Sequence, residues 1–344
     1  MKPTPYGRIF PPDAAYLARQ PAEEIIEPEL AIIDTHHHFW DGSNGRYLLD
    51  ELLADIGSGH NVVGTVYIEC QSGYRTEGPE VLRPVGEVEF VADIAATADR
   101  TGAGPARVAQ GIVGFADLTL GDGVAPVLAA LVAAGEGRFR GIRHAAGWHE
   151  DPIIGNNHHG AGPGLYLRDD FRTGLARLTE MDLSLDALVY FHQHGDLLDL
   201  ARASPEANLI MNHTGMPLGY GPYTGHRDKV FTTWKASMTE LAGCPNITLK
   251  LGGMMMRLAA FDYLDRETPP TSAELADAWR PFIETAIELF GAERCTFESN
   301  FPVDKMGIGY AALWNAFKRL AAGASADEKQ ALFADTARRA YRLD

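Results

Sequence analysis

The residues best able to do chemistry stand at the end of a short apolar run, where Leu30-Ala31-Ile32-Ile33 leads into Asp34-Thr35-His36-His37-His38. On extended backbone successive side chains point to opposite faces, so Asp34, His36 and His38 share one face while Thr35 and His37 share the other. Two imidazoles roughly 6–7 Å apart at their Cα atoms can converge on one metal ion or on one substrate oxygen. Polar groups also end other apolar runs: Glu69 and Gln71, followed by Tyr74 and Arg75; Arg143 and His144; Asn212-His213-Thr214-Gly215; Lys250 ahead of Gly252-Gly253; and Glu298-Ser299-Asn300-Phe301-Pro302. Singly, each has a plain structural explanation, with Glu69 and Lys250 as interior ion-pair partners. Together, so many charged or imidazole groups turned towards one axis are costly to bury without a ligand or mutual pairing.

The elements that would position these groups are short runs rich in β-branched residues, at 30–36, 62–70, 108–116, 140–144, 183–191, 208–213, 247–252 and 294–299. Helical periodicity fills the gaps at 86–100, 125–134, 171–181, 227–242, 272–290 and 311–320, with a last helix near 327–342. Eight nearly continuous apolar strands alternating with helices predict a parallel sheet closed into a (β/α)₈ barrel, whose catalytic groups sit at the carboxyl ends of the strands. A doubly wound open sheet is the alternative topology, but no Gly-rich phosphate turn follows the first strand. The expected organisation is one barrel domain over 30–344, preceded by an N-terminal arm over 1–29 that is rich in proline and charge.

Composition narrows the function further. At 344 residues and 46% hydrophobic the chain can bury a large core, and 46 acidic against 30 basic residues give a net charge of −16. With no basic stripe to neutralise phosphates, nucleic acid and anionic membranes are poor partners, and a small molecule is the expected ligand. The three cysteines, Cys70, Cys244 and Cys295, are far apart and odd in number, so neither a disulfide frame nor a thiolate zinc site is indicated. No apolar signal-peptide core and no spanning segment is present, and a reducing cytoplasm fits this pattern.

Four segments, Asp34-Thr35-His36-His37-His38-Phe39-Trp40-Asp41, Arg140-Gly141-Ile142-Arg143-His144, Asn212-His213-Thr214-Gly215-Met216-Pro217 and Ser299-Asn300-Phe301-Pro302, resemble the amidohydrolase superfamily. The likeness is to the amidohydrolase-related branch that holds the sugar lactonases and 2-pyrone-4,6-dicarboxylate lactonase, and it implies a distorted (β/α)₈ barrel and a hydrolytic reaction. By that likeness His36, His38 and His213 are the site imidazoles, and Arg143 is an arginine that binds a substrate carboxylate or carbonyl. Two departures matter. The fourth-strand lysine that is carboxylated in binuclear relatives is absent, which argues against a two-metal centre. The eighth-strand aspartate stands here as Asn300, and an amide cannot be a general base near neutral pH.

Two routes therefore stay open. His36, His38 and His213 could hold one divalent ion, zinc or manganese, with water in the open position and Asn300 orienting water or carbonyl. Without a metal, the imidazoles could polarise a carbonyl directly while His213, Asp304 or Glu298 activates water, although strand parity sets Glu298 a layer deeper than Asn300. Gln71, Tyr74, Arg75, Arg143, His144, Trp148, Tyr220 and Lys250 are the substrate-binding candidates. Further lining is expected from His158, His159, Arg257 and Lys305, whose cations would suit an anionic or oxygen-rich substrate. The leading expectation is opening of a lactone of a small carboxylated or sugar-derived compound. The alternatives are a metal-dependent non-oxidative decarboxylase and a catalytically silent binding barrel, and a homo-oligomer is the default assembly.

Overall fold

The computed structural model describes residues 11–42, 45–102, 104, 106–156, 161–256, 259 and 266–343. Eight parallel strands pair in chain order: β1 (Ala31–His37), β2 (Asn61–Ile68), β3 (Arg107–Gly114), β4 (Phe139–Arg143), β5 (Ser184–Ala187), β6 (Leu209–Met211), β7 (Ile247–Leu251) and β8 (Cys295–Phe297). Side chains rather than a regular ladder link β8 back to β1. The Thr35 hydroxyl donates to Phe297 O at 2.9 Å and Asp34 Oδ1 accepts from Ser299 N at 2.9 Å. Just past the strand, Asn300 N donates to His36 O at 2.9 Å and His38 N to Phe301 O at 2.8 Å. The histidine-bearing segment thus also helps to close the barrel, which is the physical content of its distortion.

Helices wrap the outside: α1 (Ala14–Leu17), α2 (Leu49–Ile56), α3 (Val85–Thr101), α4 (Ala125–Ala134), α5 (Asp169–Glu180), α6 (His194–Ala203), α7 (Arg227–Ala242), α8 (Ser272–Phe290) and α9 (Tyr310–Leu320). Local chemistry sets their ends. The α8 start is a reciprocal cap in which Thr271 Oγ1 accepts from Glu274 N and Glu274 Oε2 accepts from Thr271 N, and α3 stops at Gly102 with φ 60°. Residues 11–29 lie along α8 and α9, with Glu23 Oε1 accepting from Ser272 N at 2.7 Å and Lys318 Nζ donating to Glu27 O at 2.8 Å. Residues 1–10 of the expected arm lie outside the described residues. Among the described residues no helix is long and apolar enough to cross a membrane.

The expected strands match the observed ones in number and order, but all except the first run too far at their carboxyl ends. The chain leaves β6 at Met211 and β8 at Phe297 because His213, Thr214, Met216 and Asn300 all take positive φ, between 45° and 57°. Sequence periodicity missed α2, α6 and a small hairpin joining Trp40–Gly42 to Gly45–Tyr47. It also drew the C-terminal helix as continuous, whereas a π-helical turn at Ala331–Asp335 divides it.

Beneath the mouth of the barrel lies a fully buried polar floor. The Lys250 ammonium donates to Asp186 Oδ1 at 2.7 Å and Thr35 O at 2.8 Å, and the same Asp186 oxygen accepts from Asn212 Nδ2 at 2.9 Å and Tyr341 OH at 2.8 Å. Lys250, read from sequence as a substrate contact, thus has its donors directed into this floor. Removing one member strands a buried charge, so Lys250→Met and Asp186→Leu should each lower unfolding free energy by about 3–5 kcal/mol. The double variant should regain most of that loss in urea titrations.

Candidate active site

Above this floor one carboxylate organises the imidazoles. Glu298 Oε1 accepts from both the backbone N and the ring Nδ1 of His213, at 2.9 and 2.7 Å. Its Oε2 lies 2.8 Å from His36 Nδ1, an electrostatic contact rather than a formed hydrogen bond, because neither atom meets hydrogen-bond geometry. His38 Nδ1 sits 2.7 Å from Ile68 O, and a carbonyl can only accept, so that nitrogen carries the proton. Burial works against the Glu298 charge, but His213 and Lys250 overcome it and hold its carboxyl below the usual range. Burial above all, reinforced by neighbouring positive groups including Arg143, holds His36 and His38 well below the ordinary imidazole value, so both rings are neutral.

Those contacts fix the tautomers. Arg143 can only donate, so His36 Nε2, 3.4 Å from its Nη1, carries no proton, and with the His38 proton on Nδ1 beside Ile68 O both Nε2 atoms are bare and face each other at 3.2 Å. Two opposed lone pairs at this distance call for an electrophile. The spacing is close to that of two ligands each ~2.1 Å from one ion. His36, His213 and Glu298 also bring one donor atom each within 4.8 Å of one another. The donor set therefore fits a divalent ion, and Arg143 Nη1 stands 3.4 Å from His36 Nε2.

Close approach of backbone makes this packing feasible. A Cβ on Gly253, which has φ 67°, would lie 2.6–2.7 Å from atoms of the His213 ring, and one on Gly252 would lie 2.4 Å from Glu298 Cγ. Only hydrogen fits at either position. His37 points away from the cluster to Thr65 Oγ1 at 2.9 Å. Asp34, expected on the His36 face, is instead held by Ser299 N and by Tyr310 OH at 3.0 Å, and burial raises its carboxyl to about 6.

Arg143 is positioned from β2: its Nε donates to Glu69 Oε1 at 2.7 Å and its Nη2 to Glu69 O. Behind this pair stands Glu87 of α3, a buried carboxyl with no counterpart in the sequence reading. Its Oε1 accepts from Tyr67 OH at 2.9 Å, Cys70 N at 2.8 Å and Ser72 N at 2.9 Å, shaping the turn that places Gln71 at φ 67°. Burial first, then the negative Glu69, push it up to about 8.

The remaining candidates spread around the rim. Tyr74 and His144 line a separate cavity of about 600 Å³ between the loops after β2, β3 and β4, and the His144 ring packs on Phe115 and Phe171. Gln71 lines a cavity of about 390 Å³ beside Trp40 and Cys70. Arg75 pairs with Glu89 on the surface, and Lys305 is bound to both oxygens of Asp55. Trp148 N donates to Gln193 Oε1 at 2.9 Å, and Tyr220 is half-buried beside the neighbouring loop. His158, His159 and Arg257 lie outside the described residues. Strand parity sets Glu298 a layer deeper than Asn300, yet its carboxylate reaches both His213 and His36. The left-handed turn at His213, packed against Gly252 and Gly253 at the end of β7, brings the imidazole to the carboxylate.

A family model described as amidohydrolase matches residues 33–343. The chain belongs to the amidohydrolase family. It is 32% identical over 337 residues to the protein y4mH of Sinorhizobium fredii, with 92% of this chain and 99% of that one covered. It is 27% identical over 325 residues to an L-fucono-1,5-lactonase of Burkholderia multivorans, covering 90% and 96%. A solved amidohydrolase structure from Burkholderia multivorans with bound zinc shares the fold with a TM-score of 0.70 at 24% identity, covering 91% and 100%. As an amidohydrolase this protein is a hydrolase.

Two outcomes are expected of this amidohydrolase. Gly253→Ala displaces His213, the partner of Glu298, and should weaken binding of an added divalent metal by about 10–100-fold in calorimetric titration. Gly102→Ala, with φ 60° and nothing within 4 Å of its Cβ, should change stability alone. The Glu87 carboxyl holds a proton in the native state that the unfolded chain loses near 4.5, so its stabilisation is complete below that value and vanishes as pH rises through about 8. Urea melts of wild type against Glu87→Gln should show the wild type losing relative stability across that window.

Proposed function

We propose that this amidohydrolase opens the ring of a small lactone, sugar-derived or carboxylated, by attack of water at the His36, His38 and His213 centre. The observation that carries the reading is the Glu298–His213 couple beside the paired Nε2 atoms: a carboxylate fixes the Nδ1 proton at 2.7 Å and leaves the opposite ring nitrogen to accept one. The resemblance of the chain to proteins named as lactonases supports the substrate class.

His36 and His38 would hold one divalent ion, which would acidify water and polarise a carbonyl, while the His213 Nε2 stays free to accept a proton. The residues of the chain account for the rest. Arg143, anchored by Glu69, offers its guanidinium edge beside His36 to the carbonyl oxygen, where negative charge grows as water attacks. His213 takes the proton of the attacking water. Cleavage of the acyl–oxygen bond then releases the ring oxygen, which is protonated to a hydroxyl, and the product is a hydroxy acid that ionises at neutral pH. Each turnover thus liberates one proton.

Titration at constant pH with a panel of sugar 1,4- and 1,5-lactones tests the reading, with and without chelator. His213→Ala should reduce kcat by about 100-fold or more, since general base catalysis contributes on that scale. Wild-type protein that consumes no base with any lactone, or a His213→Ala protein as active as wild type, would remove this function.

A further inference from the structure

His213 opens a run of four successive left-handed residues, with φ 57° at His213, 53° at Thr214, 69° at Gly215 and 45° at Met216. Of the four only the glycine takes this form without steric cost, so the run persists only where surrounding contacts over-determine it. On the barrel side Glu298 accepts from His213 N at 2.9 Å, and Thr214 Oγ1 donates to Gly252 O and accepts from Gly252 N, both at 3.1 Å. On the outer side two helices supply the donors. Trp234 of α7 donates its indole N–H to Thr214 O at 2.9 Å, and His194, the first residue of α6, sets its Nε2 2.8 Å from Gly215 O.

We propose that His194 and Trp234 are positioning residues: by holding the Thr214 and Gly215 carbonyls they keep the left-handed run in place, and with it the His213 ring whose Nδ1 must stay on Glu298 for Nε2 to accept a proton. The donor roles are fixed by chemistry, since an indole nitrogen can only donate and a carbonyl can only accept, so His194 Nε2 carries a proton. Burial holds His194 down to about 4, so the ring is neutral and its Nδ1 accepts from Ser237 Oγ at 2.7 Å. His194, Trp234, Thr214 and Gly215 are all buried, so a carbonyl that lost its donor would have no water to replace it. The run would then relax towards the commoner right-handed or extended conformations, which turn the His213 side chain away from the carboxylate.

This inference rests on the lactone-opening reading for its kinetics, and ring-nitrogen NMR of the metal-free protein, with His213 assigned from a His213→Ala sample, tests it separately. His194→Leu removes the donor, whereas His194→Gln returns an amide N–H where Nε2 stood. His194→Leu should lower kcat by about 10-fold or more with KM within about threefold, and His194→Gln should stay within about threefold of wild type. Trp234→Phe keeps a buried ring without the N–H and should fall with His194→Leu. A folded His194→Gln protein as impaired as His194→Leu, or a Trp234→Phe protein as active as wild type, would overturn the proposal, because packing rather than hydrogen bonding would then set the rate. If no lactone is a substrate, the functional reading fails while the NMR still decides this one. A His213 ring that keeps its Nδ1 proton in wild type and His194→Gln but spreads over both tautomers in His194→Leu supports it, and identical His213 signals in all three overturn it.

Discussion

One buried carboxylate, Glu298, is the constraint on which the site depends. It is fully enclosed, it carries its charge because His213 and Lys250 offset the cost of burial, and its two oxygens meet the Nδ1 atoms of His213, just after β6, and of His36 on β1. A carboxylate in that place decides where the imidazole protons reside, and therefore which ring nitrogens are left for a metal or for water. Take away the charge and His213 is free to adopt the other tautomer.

Charge inside the barrel is layered. Lys250 and Asp186 form the floor with Tyr341 and Asn212, Glu298 and the imidazoles stand above them, and Arg143 with Glu69 and Glu87 supports one flank. Each layer leans on the next through low-dielectric coulombic contact: Lys250 helps to keep Glu298 ionised and His36 neutral. A barrel closed by eight short strands can bury this many polar groups only because nearly every one has a partner in the layer above or below.

Strain marks the same place. His213, Thr214, Met216 and Asn300 all hold positive φ at strand ends, where non-glycine residues are uncommon. The cost is tolerated because surrounding contacts over-determine the turns: Glu298 holds the His213 N–H, Gly252 O accepts from Thr214 Oγ1 at 3.1 Å, and His36 O accepts from Asn300 N.

The sequence by itself determined the barrel, because eight apolar runs alternating with helical periodicity leave few other ways to bury both faces of a parallel sheet. It also brought His36, His38, His213, Arg143 and Asn300 into view, since strand ends are where a barrel exposes polar groups to its axis. It could not rank Glu298, whose parity with Asn300 places it deeper, nor foresee Glu87 and Asp186, which lie on a helix and in mid-strand and look like ordinary surface or floor acids. Those roles rest on contacts between residues far apart in the chain, such as 213 with 298 and 186 with 341. Only the tertiary structure decided them, because local periodicity records which face a side chain takes but not which distant partner shares its burial.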